Sequence, residues 1–371
     1  MKPYSIIIGL VLLFGLSGCS RTDRATTAFE IGCVLSLTGE VSKYGEDAQN
    51  GIMLAVAELQ AGGKQVRVHI ADSKSNPRDG INAYRQLRTA HNIRACISMI
   101  SGITRAIAPV AHEDDVFHFA TVAAAPDLFT PQMRAYRWYY TGELLAAEVA
   151  QYIKRSQQAK RISVLAENIE YSKAAAAALA NLLASNNIPI KMEVYDAKTA
   201  VARDLVAKVL SDKPEILVLL GSGGAAAANI LIVLREQGFT GTILSDDSVS
   251  FPHVLKACGK AADGVIFFSS SFNGQDLTNP FVNAYHRKYG KFPSDISAFA
   301  YDMVRILCSA PDHSSAERLD SYVAGLKNYS SVLGTVNAIK ERRELSVPIS
   351  PKRIYHTNNN EFEFHPVRSN E

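Results

Sequence analysis

The feature that most constrains the fold is a regular alternation of short apolar runs with longer amphipathic segments. Residues 31–37 and 95–100 are apolar runs of strand length, whereas residues 46–59 carry apolar side chains at the spacing of one helix face. Strands that alternate with helices favour a parallel sheet covered by helices on both of its faces. The pattern therefore predicts an α/β protein.

The alternation restarts after residue 137, and this restart predicts two lobes. A helix over 142–155, a strand over 161–166 and a helix over 171–186 begin a second series, which runs to a strand over 264–270. Two series of similar length within 371 residues predict two doubly wound lobes. An eight-fold barrel is the alternative, and the restart and the uneven tail count against it.

The N-terminus carries an apolar stretch that is typical of a secretory signal. Lys2 precedes an apolar run over 6–16, which is shorter than the roughly 20 residues of a spanning helix. The Leu-Ser-Gly-Cys tetrad that follows resembles the bacterial lipobox. This resemblance implies a lipoprotein signal peptide over residues 1–19, lipid attachment to Cys19 and a polar tether over 20–28. A buried N-terminal helix or an uncleaved anchor is the alternative.

The composition excludes several classes of protein. With 47% hydrophobic and 20% charged residues, the chain has enough apolar surface for a packed core, which excludes a disordered or collagen-like chain. The formal net charge of +3 is too small for a nucleic-acid platform. Cys33, Cys96, Cys258 and Cys308 match no zinc-site spacing. Buried thiols are expected, with a Cys33–Cys96 disulfide as the alternative in an oxidising compartment.

Three groups of short motifs follow one another along the chain. They are, in order, IGCVLSLTG at 31–39 with Tyr44-Gly45 and Asn50-Gly51-Ile52; Asp72-Ser73 with Asn76-Pro77; and residues 166–171, 221–224 and 245–247. In this order and spacing they resemble the leucine/isoleucine/valine-type (type 1) periplasmic solute-binding proteins of ABC importers, over roughly residues 30–357. Ser36 stands where that family usually has proline.

The resemblance implies two α/β lobes joined by three crossovers, with the ligand held in the cleft between the lobes. The crossovers are expected near three residues: Thr141, Phe272 and Val347. The lobes are then expected to comprise these segments: 29–141 plus 273–347 for the first lobe, and 142–272 plus 348–371 for the second. Open α/β sheets bind ligands at the carboxyl ends of their strands, which places the site at the cleft.

The first lobe offers two candidate cleft loops. Ser101 and Gly102 lie between a strand and a helix, where backbone N–H groups can hold a carboxylate; an ordinary helix cap is the alternative. The next loop carries Ala123 and Ala124, and amino-acid binders of the family usually have a hydroxyl residue where Ala124 stands. This departure argues against an α-amino-acid ligand.

The remaining candidate ligand-binding residues match aromatic, polar and acidic positions of the family. Tyr44 and Tyr171 are expected against the ligand, because a tyrosine offers both an apolar face and a hydroxyl. Asp247 matches an acidic residue that pairs with a ligand ammonium, although Asp246 could exchange roles with it. Ser222 is expected to line the cleft. Asp247 thus favours an amino acid where Ala124 argues against one.

Two motifs suggest other chemistry. Residues 221–226 formally match a G-x-G-x-x-A dinucleotide fingerprint, which would indicate an NAD(P)-dependent dehydrogenase as a remote alternative. His112, three acidic residues and His118 suggest a metal site, but their spacing is not H-E-x-x-H, and a polar helix end explains them better. No catalytic residue, metal or cofactor is expected.

The resemblance therefore implies a membrane-tethered, extracytoplasmic solute-binding protein. It would deliver a small organic ligand, an amino acid or a related carboxylate or amide, to an ABC permease by closure of the cleft. Its place would be the periplasm or the cell surface, held to a bacterial bilayer through Cys19. The same fold acting as a ligand sensor, or as a regulator of an envelope enzyme, is the alternative from a different class.

Overall fold

The computed structural model describes residues 28–155, 161–359 and 361–367. The predicted signal peptide and the predicted lipid attachment at Cys19 lie outside the described residues. Within the described ranges, no helix combines the length and the apolarity that crossing a bilayer requires.

The chain alternates strands and helices in two consecutive series and then adds a tail. The first series contains β1 (Phe29–Leu35), α1 (Ser42–Ala61), β2 (Val66–Asp72), α2 (Pro77–His91), β3 (Ala95–Met99), α3 (Ser101–Glu113), β4 (Phe117–Thr121) and β5 (Ala135–Arg137). The second contains α4 (Gly142–Arg155), β6 (Ile162–Glu167), α5 (Glu170–Ala184), β7 (Ile190–Tyr195), α6 (Ala202–Leu210), β8 (Ile216–Leu220), α7 (Ala225–Glu236), β9 (Thr242–Asp246), α8 (Pro252–Cys258) and β10 (Ile266–Ser270). The tail contains α9 (Pro280–Tyr289), α10 (Asp295–Ser309), α11 (Ala316–Ala324), β11 (Tyr329–Ser331), β12 (Gly334–Val336), β13 (Ala338–Ile339), β14 (Glu344–Leu345), β15 (Ile349–His356) and β16 (Phe362–Pro366).

The strands form two open sheets, in which the strands of the two series follow the same order. The seven-stranded orders are β13-β14-β5-β4-β3-β1-β2 and β16-β15-β10-β9-β8-β6-β7. In each sheet the strands of one series pair in parallel, and the order reverses between the first and third strands of that series. The tail completes both sheets. This architecture confirms the predicted pair of doubly wound lobes and excludes the eight-fold barrel.

Burial explains why the central strands were predictable. Every residue of β3, β4, β8 and β10 is buried, as expected for strands with helices on both faces. The edge strand β2 is half-exposed along most of its length, which matches its alternating sequence.

The tail is built of short strands that the sequence pattern marks weakly. The segment over 335–340 is divided between β12 and β13, and β15 begins at residue 349, two residues before Pro351. Pro351 is tolerated in β15 because it lies opposite Val367, just beyond the end of β16, and its carbonyl oxygen still accepts from Val367 N at 3.0 Å. The strand β16 was not predicted at all.

The register of β1 and β3 decides the disulfide question. Cys33 lies opposite Ile97, and Cys96 lies opposite Gly32. Because successive side chains of a strand alternate between faces, the two cysteines point to opposite faces of the sheet. All four described cysteines are free and buried, so the alternative of a Cys33–Cys96 disulfide is wrong.

Helices α1 and α10 pack closely, and Gly51 sets the distance between them. A Cβ atom at this position would lie 2.0 Å from the backbone oxygen of Ser297. Gly51→Ala is therefore expected to lower the free energy of unfolding by about 3 kcal/mol, because the two helices must move apart. Gly62→Ala, just beyond α1, is the matched control, since a Cβ there would be 3.4 Å from its nearest atom. Urea unfolding measures both; equal losses would contradict this packing argument.

Candidate functional site

The candidate site lies where the loops at the carboxyl ends of the two sheets meet. The first lobe contributes the loops after β3, β4 and β5, and the second contributes the loop after β9. Side chains on these loops and on adjoining helices touch across the cleft, as shown by the pairs Tyr139–Asp247 and Tyr44–Phe251. The cleft is therefore closed in this structure.

Asp247 is the carboxylate at which the lobes meet. The hydroxyl of Tyr139, which follows β5, donates to Asp247 Oδ2 at 2.8 Å. Tyr140 stacks on Tyr139 with ring centroids 4.3 Å apart, and the two tyrosine hydroxyls lie 3.2 Å from each other. Burial, with smaller contributions from the charges of Asp295 and Asp246, raises the pKa of Asp247 despite the hydrogen bond from Tyr139. An ionised Asp247 is thus held in a place that disfavours its charge.

Two further tyrosines complete an aromatic surround for Asp247. Tyr44, in the first turn of α1, meets Phe251 edge-on with ring centroids 4.8 Å apart. Tyr171 lies in the first turn of α5. Burial and the charges of Asp246 and Asp247 raise the pKa of both tyrosines well above its ordinary value, so their hydroxyls stay protonated. We call the following four residues the tyrosine shell: Tyr44, Tyr139, Tyr140 and Tyr171.

A second carboxylate, Asp295, stands at the start of α10. Its Oδ2 accepts from Ser270 Oγ at 3.0 Å, and its charge acts on Asp247. Lys352 Nζ donates to the carbonyl oxygens of Ser270 and Phe272, at 2.9 and 3.0 Å. Burial lowers the pKa of Lys352, while attraction to Asp295 and Asp247 opposes this shift. Lys352 therefore offsets part of the negative charge of the two carboxylates.

Asp246 differs from Asp247 in its partners. It is fully buried, and its carboxylate accepts from Gly221 N at 3.0 Å, from Ser248 N at 3.1 Å and from Ser248 Oγ. Burial raises the pKa of Asp246 to about 6 even so. These bonds connect the loops after β8 and β9 within one lobe. Asp247, in contrast, receives its hydrogen bond from the other lobe.

Two carboxylates accept hydrogen bonds from the backbone of the glycine-rich loop at 221–226. Ser222 donates to Glu167 through its N–H at 2.7 Å and through its hydroxyl, which lies 3.0 and 2.8 Å from the two carboxylate oxygens. The N–H of Gly221 donates to Asp246. A dinucleotide pyrophosphate needs these N–H groups free and is repelled by the two carboxylates. The dehydrogenase alternative is therefore wrong.

The loops of the first lobe are held by internal hydrogen bonds. Ser101 Oγ accepts from Ala125 N at 3.1 Å, and Gly102 lies exposed in the first turn of α3. Ala124 is 7% exposed, whereas Ala123 is fully buried. The Ala123 side chain therefore offers no surface to a ligand, and its carbonyl oxygen accepts from Arg137 Nη1 at 2.9 Å.

An ion pair joins the lobes beside the tyrosine shell. Arg105, on α3, pairs with Glu170, which precedes Tyr171 at the start of α5. The same guanidinium donates to the carbonyl oxygens of Pro126 and Asp127, at 3.0 and 3.1 Å. Arg105 therefore ties the loop after β4 to the second lobe.

The histidine and acidic residues of the suspected metal site lie at the end of α3, in the turn after it and in β4, and those with hydrogen bonds have separate partners. His118 is buried in β4 next to Ser98, with 2.7 Å between Nε2 and Oγ, and burial lowers its pKa to about 3. Asp114 accepts from the hydroxyl of Tyr84. In the described part of the chain, no three His, Cys, Asp or Glu side chains are arranged to hold a metal ion.

Sequence reasoning missed several residues of the site. Tyr139 and Tyr140 precede the first crossover, Asp295 begins a helix and Lys352 lies in a tail strand. The Tyr-Tyr pair at a lobe crossover was the one available signal. Nothing in the local sequence of Asp295 or Lys352 distinguishes it from an ordinary surface charge.

The buried carboxylates predict an unusual pH dependence of stability. Because burial raises the pKa of Asp246 and Asp247, the folded protein retains protons that the unfolded chain releases above a pH of about 4. The contribution of these groups to the free energy of unfolding therefore decreases as pH rises. Urea unfolding of the ligand-free protein and of Asp247→Asn between pH 4 and 8 tests this. The variant should gain stability relative to the natural chain as pH rises; parallel curves would contradict the prediction.

The fold and the site together define a class: an α/β protein of two similar lobes with a candidate binding site in the cleft between them. A model of the family described as "Periplasmic binding protein" matches residues 28–360. The chain belongs to this family of periplasmic binding proteins. The curated relatives described below are binding proteins rather than enzymes.

Curated relatives agree with this assignment. The chain is 26% identical over 253 residues to the Leu/Ile/Val-binding protein BraC3 of Rhizobium johnstonii, covering 65% of this chain and 67% of the relative. It is 26% identical over 286 residues to Leu/Ile/Val-binding protein homolog 3 of Brucella melitensis, covering 74% and 76%.

Solved structures share the fold at lower identity. A leucine-binding protein LivK from Thermotoga maritima superposes with a TM-score of 0.80 at 22% identity, covering 91% of this chain and 98% of that one. LivJ from Streptococcus pneumoniae in complex with isoleucine gives 0.78 at 20%, covering 92% and 99%. A Rhodopseudomonas palustris solute-binding protein in complex with 3,4-dihydroxybenzoic acid gives 0.78 at 18%, covering 92% and 96%. Similar folds therefore hold chemically different ligands.

Proposed function

We propose that the protein is an extracytoplasmic solute-binding protein that closes its cleft around a small organic ligand and delivers it to the permease of an ABC importer. The observation that carries this proposal is the 2.8 Å hydrogen bond between Tyr139 and Asp247, which come from different lobes. A ligand that contacts both lobes stabilises the closed arrangement, and a permease can distinguish that arrangement from the open one.

Within this proposal, the predicted ligand-binding residues have different roles. Asp247 holds an amine of the ligand, and Tyr44 and Tyr171 contact its apolar part. The names of the curated relatives support an amine-bearing ligand, since they refer to leucine, isoleucine and valine. The remaining positions line the cleft, with Ala123 contributing through its backbone: Ser101, Gly102, Ala123, Ala124 and Ser222.

The lobe boundaries and the membrane anchor belong to the same proposal. The lobes comprise these segments: 29–141 plus 273–347, and 142–272 plus 348–371. Lipid on Cys19 holds the mature protein to a bacterial membrane, so that the lobes work at its surface. Labelling of cells with a fatty-acid analogue tests the anchor: the natural chain should be labelled, and Cys19→Ser should not.

Thermal unfolding of the purified full-length chain against a panel of amino acids, amines, small acids and amides tests the function. At least one compound should raise the melting temperature in a concentration-dependent way, because ligands that bind the folded state stabilise it. If no small molecule does so while an envelope protein binds, the chain is a regulator and the importer proposal is wrong.

A further inference from the structure

The outer edge of β7 carries no strand in the sheet of the second lobe. In the described part of the chain, β7 lies last in its sheet and pairs with β6 alone. Met192 and Val194 are 44% and 46% exposed, so the flanking helices leave this edge open. An exposed edge strand presents unpaired N–H and C=O groups to which another strand can add. The edge of β7 is therefore a candidate interaction surface.

One hydrogen bond shows which backbone groups of β7 are free. The carbonyl oxygen of Tyr195 accepts from Asn168 N, just beyond β6, at 2.7 Å. In a parallel ladder a residue directs its N–H and C=O to the same side, and successive residues alternate between the two sides. The odd-numbered residues of β7 therefore bond to β6. The backbone groups of Ile190, Met192 and Val194 point away from the sheet.

The sequence of this edge is complementary to itself in charge. When two copies of β7 pair antiparallel with Met192 opposite Met192, Lys191 lies opposite Glu193 of the second copy and Ile190 lies opposite Val194. The outward backbone groups then face one another, as a hydrogen-bonded antiparallel pair requires. The two neighbouring registers that also join outward groups place Lys191 opposite Lys191, or Glu193 opposite Glu193. Because unlike charges across a strand pair stabilise it and like charges destabilise it, the register centred on Met192 is favoured.

The neighbouring charges extend this complementarity. Within one chain, Lys191 pairs with Asp212, and Glu193 Oε2 lies 2.7 Å from Lys208 Nζ. In the centred register, Lys191 and Glu193 each gain a second partner of opposite sign, so that positive and negative side chains alternate across the contact. The intervening side chains of β7 are apolar and lie on the other face of the strand, where they meet those of the second copy.

We propose that the protein forms a symmetric dimer through β7, in which two copies join the sheets of their second lobes edge to edge with Met192 on the two-fold axis. Each copy contributes the same strand, so the contact is closed after one addition. The contact is one short strand wide, which makes the dimer a reversible one. The ligand-binding cleft takes no part in it, so this inference is independent of the proposed function.

Sedimentation equilibrium of the purified full-length chain tests this inference. The natural chain is expected to be dimeric at about 100 µM and to dissociate on dilution. Lys191→Glu and Glu193→Lys should each raise the dissociation constant of the dimer at least about ten-fold, because each places like charges opposite one another at two symmetric positions. An equimolar mixture of the two variants should associate more tightly than either alone, since unlike charges again lie opposite. A monomeric natural chain, or a mixture no more associated than its components, would overturn the proposal.

Arg203→Glu is the matched control for Lys191→Glu, because it changes the net charge by the same amount outside β7. The Arg203 side chain is 72% exposed and pairs with Glu236. This control should leave the dissociation constant unchanged. A loss equal to that of Lys191→Glu would assign the association to net charge and overturn the proposal.

Cysteine variants under mild oxidation test the register. In the centred register the two Met192 positions lie opposite each other, within the range of a disulfide, whereas the two Val194 positions lie roughly 13 Å apart along the strands. Met192→Cys should therefore form a cross-linked dimer, and Val194→Cys should not. Cross-linking of Val194→Cys, or none of Met192→Cys, would overturn the proposal.

Discussion

Asn in place of Asp247 is expected to weaken the binding of an amine ligand by at least about 100-fold, because removing one partner of a buried charge pair costs several kcal/mol. The same substitution should make the ligand-free protein more stable at neutral pH. Burial and two neighbouring carboxylates disfavour the charge of Asp247, and asparagine has none. The two effects therefore have opposite signs, as expected of a residue retained for binding rather than for folding.

Isothermal titration and urea unfolding of the same preparation measure both effects. Asp204→Asn is the matched control, since Asp204 lies exposed in the first turn of α6 in the same lobe. This control should change neither the affinity nor the stability by a measurable amount. An Asp247→Asn protein that binds the amine as tightly as the natural chain, or that is less stable without ligand, would contradict the assigned role.

The fold was predictable where local patterns follow directly from burial. The strands β3 and β8 are apolar apart from Ser98 in β3, because helices cover both of their faces, so each is visible in the sequence alone. The short strands β13 and β14 have two residues each, too few to show any periodicity. They form because the tail returns to the edge of the first sheet, and such a return depends on distant parts of the chain.

The site was predictable only in part, because it is built from segments that meet across the cleft. The family resemblance located Asp247, but the choice between Asp246 and Asp247 needed the hydrogen bonds. The carboxylate of Asp246 accepts hydrogen bonds from Gly221 and Ser248 of its own lobe, whereas that of Asp247 accepts one from Tyr139 of the other lobe. Asp295 approaches from a helix that follows the second crossover, so no local pattern could place it beside Asp247.

A buried ion pair between Arg137 and Glu344 connects the tail of the chain to a loop of the cleft. Glu344 in β14 pairs with Arg137 in β5, and both residues are less than 10% exposed. Arg137 Nη1 also donates to the carbonyl oxygens of Ala123 and Ala125, at 2.9 and 2.5 Å. One guanidinium thus connects the last strands of the first sheet to a loop of the cleft.

Arg137→Met is expected to lower the free energy of unfolding by about 3 kcal/mol, because it removes the buried partner of Glu344 and leaves only the largely exposed Arg342, 3.5 Å away, among its ion-pair partners in the described chain. It should also weaken ligand binding, since the carbonyl oxygens of residues 123 and 125 lose their donor. The double variant Arg137→Met/Glu344→Leu should recover most of the stability but not the affinity, because it removes the buried carboxylate without restoring the donor. Arg342→Met is the control, since the Arg342 side chain is 60% exposed and lies 3.5 Å from Glu344. Urea unfolding and isothermal titration with a ligand are carried out on the natural chain, on Arg137→Met, on the double variant and on Arg342→Met. A double variant no more stable than Arg137→Met would show that the guanidinium stabilises the protein mainly through its hydrogen bonds to the loop, rather than through the ion pair with Glu344.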